Sequence, residues 1–275
     1  TNFNLIPNYG AISVNAKLFV SVPHNDMFSS IDQGETWQSS FTGGWGCQAP
    51  KMIYMKNVDE ILMSYTGYLR GIYRSNSFLT DSITWGNHFN PTGGDCWDLS
   101  LTSNGDTVYS AFSSSNHLGG IYRSNDYGES WQSILQTEGT ENPHLIEVTD
   151  SLLFYVSVNN KFYRSSDFGS SWTHTHTFLD DNQLATQNYA SKDIVRKGNA
   201  IFVSFDGIGL HMSNDYGDSW EKIDELIEDQ LNYMLIADNK LFVTSQSGLY
   251  STIIGCTEEE SINYNNSATL NDGSC

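Results

Sequence analysis

Along this chain the apolar positions gather into short β-rich runs that are cut off by Gly, Asn and Asp. Residues 11–22 (AISVNAKLFVSV) and 27–31 form the first group, and 51–54, 61–65 and 71–74 the second. Runs at 99–102, 107–112 and 120–123, then at 144–148, 152–158 and 161–164, and then at 193–195, 200–205 and 209–212 repeat the arrangement. A last group covers 231–237, 240–244 and 248–252. The pattern predicts strands in threes, each group but the last leading into a polar segment that ends in Trp. No run reaches the ~18 apolar residues that a bilayer-spanning helix requires, so no membrane insertion is expected.

The polar segments are copies of one octapeptide. Residues 213–220 read SNDYGDSW, 124–131 read SNDYGESW, 165–172 read SSDFGSSW and 30–37 read SIDQGETW, while a decayed copy follows Ser75 and ends at Trp85. The residue types are those of a tight turn between strands. Asp32, Asp126, Asp167 and Asp215 are placed to accept backbone N–H bonds, and the Gly two residues later supplies a positive φ. Trp37, Trp131, Trp172 and Trp220 then enter the next strand, where the indole packs and its N–H finds an acceptor. A catalytic or metal-binding Asp is needed once, so this repetition marks the group as structural.

The five tryptophans are 48, 46, 41 and 48 residues apart, and a period in this range with several strands per period signals a propeller blade. The motif S-x-D-x-G-x-[ST]-W resembles the Asp-box, or BNR, repeat of sialidases, sortilin-type receptors, xyloglucanases and photosystem assembly factors. That resemblance implies an all-β, six-bladed β-propeller over residues 1–254, a scaffold shared by many chemistries. The last group lacks a fourth strand, and residues 2–6 (NFNLI) are expected to supply it, closing the ring from the N-terminus.

Composition changes the picture in two ways. Thirteen basic against thirty-two acidic residues give a net charge of -19, which argues against nucleic acid or an anionic membrane surface as partner. Four cysteines in a chain that opens at Thr1 are read as an exported, mature form with two disulfides. One bridge joins Cys256 to Cys275 around a small tail, residues 255–275. The other joins Cys47 to Cys96, because TGGWGC (42–47) and TGGDC (92–96) stand at matching places in adjacent blades.

The tail, GCTEEESINYNNSATLNDGSC, resembles a motif near the C-termini of secreted Bacteroidota proteins, often ahead of a type IX secretion sorting domain. It implies a secreted or cell-surface location and a link to secretion machinery. Asp272, Asn263, Asn265 and Asn271 offer oxygen atoms for a calcium ion, against the simpler reading of an Asx-rich loop pinned by its disulfide. His174 and His176 are read as surface histidines rather than metal ligands.

In a propeller the connections between blades gather at one end of the central channel, with the octapeptide turns at the other. Trp45, Tyr68, Asp95, Trp97, Asp98, Glu141, Asp180, Asp181 and Tyr189 fall in those connections and form the candidate ligand site. Flat rings among carboxylates suit a sugar, whose C–H face stacks while its hydroxyls take directed hydrogen bonds. The alternative is that Trp45 and Trp97 merely cover the channel end. Sialidase chemistry is disfavoured: it asks for three arginines at the site and an F/Y-R-I-P stretch, whereas Arg74, Arg123 and Arg164 repeat at one structural place in the blade. The sequence is therefore read as a non-catalytic binding propeller for a surface glycan or a cell-envelope protein. The rivals are a glycoside hydrolase or lyase using paired carboxylates, and an architectural subunit of a secretion or adhesion assembly.

Overall fold

Each octapeptide folds as the turn that its side chains demand. In residues 124–131 the Ser124 hydroxyl donates to Asp126 Oδ1 at 2.7 Å and accepts the Gly128 N–H at 2.7 Å. Asp126 in turn accepts the backbone N–H of Ser130 on Oδ1 at 2.9 Å and its hydroxyl on Oδ2 at 2.5 Å. The indole N–H of Trp131 donates to the Gly128 carbonyl at 3.1 Å. The same set recurs around Asp32, Asp167 and Asp215. Two successive residues take positive φ, Tyr127 at 58° and Gly128 at 84°, with Gln33, Phe168 and Tyr216 matching Tyr127 in the other copies. The cost of a left-handed non-glycine residue is met by the carboxylate that ties the turn together.

The computed structural model describes residues 10–21, 27–41, 49–67, 70–75, 84–91, 93–102, 104–113, 119–178, 191–223 and 231–275. Among these, an all-β, six-bladed propeller is built from six four-stranded sheets, each made of consecutive strands. Blade one is β1 (Ala11–Val14), β2 (Lys17–Ser21), β3 (Met27–Ser30) and β4 (Gln38–Phe41). Blade two is β5 (Met52–Met55), β6 (Glu60–Tyr65), β7 (Gly71–Ser75) and β8 (Trp85–Phe89). Blade three is β9 (Asp95–Leu101), β10 (Val108–Ser113), β11 (Gly119–Ser124) and β12 (Gln132–Thr137). Blade four is β13 (Pro143–Val148), β14 (Leu153–Ser157), β15 (Lys161–Ser165) and β16 (Thr173–Thr177). Blade five is β17 (Ser191–Lys197), β18 (Ala200–Phe205), β19 (Gly209–Ser213) and β20 (Glu221–Ile223). Blade six is β21 (Leu231–Ala237), β22 (Lys240–Ser245), β23 (Leu249–Gly255) and β24 (Leu270–Asn271).

The chain divides into two compact units, Thr1–Leu153 with Ser165–Ser171, and Phe154–Arg164 with Trp172–Cys275. In the first, Phe19, Met27, Met52, Ile61 and Met63 fill the layer between blades one and two. Met55, Leu62, Ile72, Leu99, Val108 and Phe112 fill the next layer, between blades two and three. In the second unit, Phe202, Leu210, Met212, Met234, Leu241 and Val243 lie between blades five and six. The second strands β10 and β18 are buried at every position, which is why VYSAFS and AIFVSF run without polar alternation. The fourth strands β12 and β16 carry exposed positions.

The last blade is completed by the tail. Beside β23 lies β24, parallel to it and paired at Ile254 with Leu270 and at Gly255 with Asn271. The Cys256–Cys275 disulfide is formed and turns the chain back on itself. Residues 2–6, expected in that blade, lie outside the described residues.

One expectation needs correction. Cys96 is a free thiol, wholly buried in the layer between blades two and three, so the bridge to Cys47 is not formed. On β9 the Cys96 side chain turns into the apolar layer rather than out along the connection. Its burial, followed by the nearby Asp98 and Asp95 carboxylates, holds the thiol well above its ordinary pKa. Cys47 lies outside the described residues.

Candidate functional site

Of the expected ligand-site residues, Trp45, Tyr68, Asp180, Asp181 and Tyr189 lie outside the described residues. Asp95, Trp97 and Asp98 stand where β9 begins, in the first unit, and Glu141 just before β13. A β-bulge opposite Ala111 and Phe112 breaks the period of two at Trp97. Asp98 is thereby turned inward and is only 1 % exposed. Its Oδ1 accepts the Leu99 N–H and its Oδ2 the Ile146 N–H, both at 2.8 Å, and Lys51 Nζ stands 3.9 Å away. A buried carboxylate held by two amides does the work of a strand-to-strand tie.

Asp95 is half-buried and engaged as well. Its Oδ1 accepts the Gly67 N–H at 2.9 Å and lies 3.3 Å from Arg70 Nε. Arg70 also donates to the carbonyls of Gly67 at 2.8 Å and Gly93 at 3.1 Å, while Asn90 donates to the Arg70 carbonyl. The loop after β6 and the connection into β9 are thus laced into one polar rim. Against this rim the Trp97 ring meets His144 of β13 edge-on, with centroids 4.8 Å apart. Glu141 belongs to the short 3₁₀ turn Gly139–Glu141 just before β13. That turn is anchored by buried Asn142, whose Oδ1 accepts the Thr137 hydroxyl at 2.9 Å.

Two parts of this rim escaped sequence reasoning. Arg70 has no repeat partner to mark it, and His144 stands at the start of a strand run with nothing in the sequence to set it apart. The paired use of Asp98 had a signal: Asp193 precedes Ile194 as Asp98 precedes Leu99, at the same place in its blade. Asp193 is buried too, its Oδ1 accepting the Ile194 N–H at 2.9 Å and its Oδ2 the Met234 N–H at 2.8 Å.

The repeated arginines sit on third strands, engaged with side chains beside them. Arg74 pairs with Glu60 and Glu129, Arg164 pairs with Asp218 at 2.8 Å, and Arg123 donates to Gln132. In the tail the four calcium candidates have other partners. Asn263 donates to the Ser274 carbonyl, Asn265 Oδ1 accepts the Ser267 N–H, Asn271 Oδ1 accepts the Gly273 N–H, and Asp272 lies 3.4 Å from Lys197 Nζ. Among the described residues no group of three or more His, Cys, Asp or Glu side chains is arranged to hold a metal ion. Nor does any helix among them have the length and apolarity to cross a membrane.

No family model matches this chain, and no curated protein matches it. Solved structures do. YCF48 bound to D1 peptide superposes with a TM-score of 0.60 at 14% identity, over 88% of this chain and 75% of that one. An ancestral GH74 enzyme gives 0.66 at 14%, over 97% of this chain and 38% of the enzyme. The extracellular domain of a hybrid two-component system from B. thetaiotaomicron gives 0.65 at 13%, over 96% and 35%. What they share with this chain is the propeller fold. The chain spans little more than a third of the last two.

Proposed function

We propose that this chain is a secreted or cell-surface binding propeller that holds a partner at the end where the blade connections gather, around Trp97, without performing chemistry there. The observation that carries the reading is the engagement of the described β9 carboxylates: Asp98 on two backbone amides, Asp95 on Gly67 and Arg70. A hydrolytic pair needs two carboxyl groups directed at one bond, and these two are directed at their own scaffold. The rim instead offers a fixed indole, a guanidinium and backbone groups, which is recognition chemistry. A protein segment of the cell envelope is the favoured ligand, supported by the YCF48 structure in which the same fold is bound to a peptide. A surface glycan stacked on Trp97 is the second ligand class. The octapeptide repeat and the tail motif support an Asp-box propeller exported by a type IX route.

The test is to pass envelope-protein peptides and a panel of polysaccharides over the immobilised protein, measuring both retention and released sugar. Retention of peptide or glycan without release supports the reading. Released sugar overturns it in favour of a glycoside hydrolase, and retention of neither class overturns it in favour of an architectural role.

A further inference from the structure

His211, on β19 of the second unit, is 9 % exposed and its Nδ1 has no hydrogen-bond partner. It sits in an aromatic seam between blades four and five. Its ring meets Phe178 at 5.3 Å and Phe205 at 5.5 Å between centroids. Phe178, just beyond the end of β16, is buried and also touches Phe162 and Trp220. His176 closes the seam from β16, stacked on Trp220 at 5.9 Å and edge-on to Phe178 at 4.9 Å.

The charges that bear on His211 come from Lys222 on β20, its neighbour across the ladder, and from His176 on β16. His174 bears on His176 in turn and is itself held by the His176 carbonyl at 2.9 Å. All are cations when protonated. The faces packed on His211 from β18 and from the end of β16 present Phe205 and Phe178, and among the described residues no carboxylate contributes to its electrostatics. A proton arriving here therefore finds a desolvated site with like charge nearby and nothing to neutralise it.

We propose that the His211–His176 seam is an acid-sensitive joint: protonation of His211 parts blade four from blade five around Phe178, while the layers between blades one and two and between blades two and three, whose described core residues include no histidine, stay closed. The sign follows from linkage. Burial, with Lys222 and His176, lowers the His211 pKa from 6.5 to about 4. Above 6.5 the imidazole is neutral whether the joint is open or closed. As pH falls from 6.5 towards about 4 the opened form takes up the proton first, so closure weakens progressively and reaches its full loss below about 4. His176, half-buried and lowered in the same direction, adds to the effect.

The test is segment-resolved hydrogen exchange on the full chain across this pH range, corrected for intrinsic exchange. The expected result is a loss of protection in β16 and β19 of up to about 300-fold relative to β10 and β11. His211→Phe, which keeps the aromatic packing and removes the proton site, is expected to retain protection at acid pH. Unchanged protection of β16 and β19 in the wild type, or equal loss in H211F, overturns the proposal. Should H211F not fold, ring-proton titration of the histidine-labelled wild type decides instead. One histidine titrating near pH 4 supports the joint, and all seven near their ordinary value overturn it.

Discussion

The carboxylate of Asp98 on β9 accepts the backbone N–H of Ile146 on β13 at 2.8 Å, tying the innermost strand of one blade to that of the next. Asp193 on β17 repeats the bond to Met234 on β21 at the same distance. In blades two and six a hydroxyl on the second strand instead bonds back to the first strand of its own blade, Ser64 of β6 accepting the Lys51 N–H and Thr244 of β22 the Tyr233 N–H. Replacing Asp193 by Ala strands the Met234 N–H in an apolar layer. We expect D193A and D98A each to cost about 2–4 kcal/mol, the range for removing a buried charged partner from hydrogen-bonded groups. Chemical denaturation measures this, and a loss within about 0.5 kcal/mol would show the ties to be dispensable.

The turn carboxylates should resist acid. The Thr36 hydroxyl, then its N–H, then Ser30 hold Asp32 down to about 2, and Ser171 with Ser165 hold Asp167 down to about 2 likewise. With the folded pKa below the unfolded value, the stabilisation is present above the unfolded pKa of 3.8 and is lost as pH falls from there towards 2. Carboxyl carbon NMR should find both groups still ionised at pH 3. Midpoints near 3.8 would mean that the turn hydrogen bonds are not kept in solution.

At the rim, Trp97→Ala should weaken retention of whichever ligand binds by tenfold or more while moving the thermal midpoint little, since the indole is only half-buried and its ring meets that of His144 edge-on. Arg70→Ala should act differently, loosening the loop after β6 by removing its bonds to Gly67 and Gly93. Titration calorimetry beside a melting curve separates the two. Full binding by W97A would remove Trp97 from the site.

The buried thiol of Cys96 should be silent to alkylation in the native protein and label on denaturation without reductant. Mass mapping of the labelled peptide checks this. A denatured, unreduced Cys96 that still refuses the reagent would mean that it is bridged after all.

What was legible in the sequence was what is decided locally. The octapeptides announced their turns because Ser124, Asp126, Gly128 and Trp131 satisfy one another within eight residues, and the period of the tryptophans then marked five blades, the sixth showing only in its run of strands. The repeated arginines were set aside for the same reason. The inward turn of Asp98 and the burial of Cys96 were not legible because one extra residue at Trp97 re-aims the start of β9, and a bulge leaves no mark in composition. Arg70 binds groups 23 residues away, and β24 pairs with β23 only after the tail has looped back through its disulfide; neither follows from a run of residues.

That returning tail also gives the molecule an underside with a handle. Asn199 donates to the Gly273 carbonyl at the β17–β18 hairpin, and Lys197 reaches both Asp272 and Asn239, so Cys275 is held among the hairpins on the same side as the octapeptide turns. Anything attached beyond Cys275, whether a surface, a label or further chain, therefore takes hold of the second unit beside the β17–β18 hairpin.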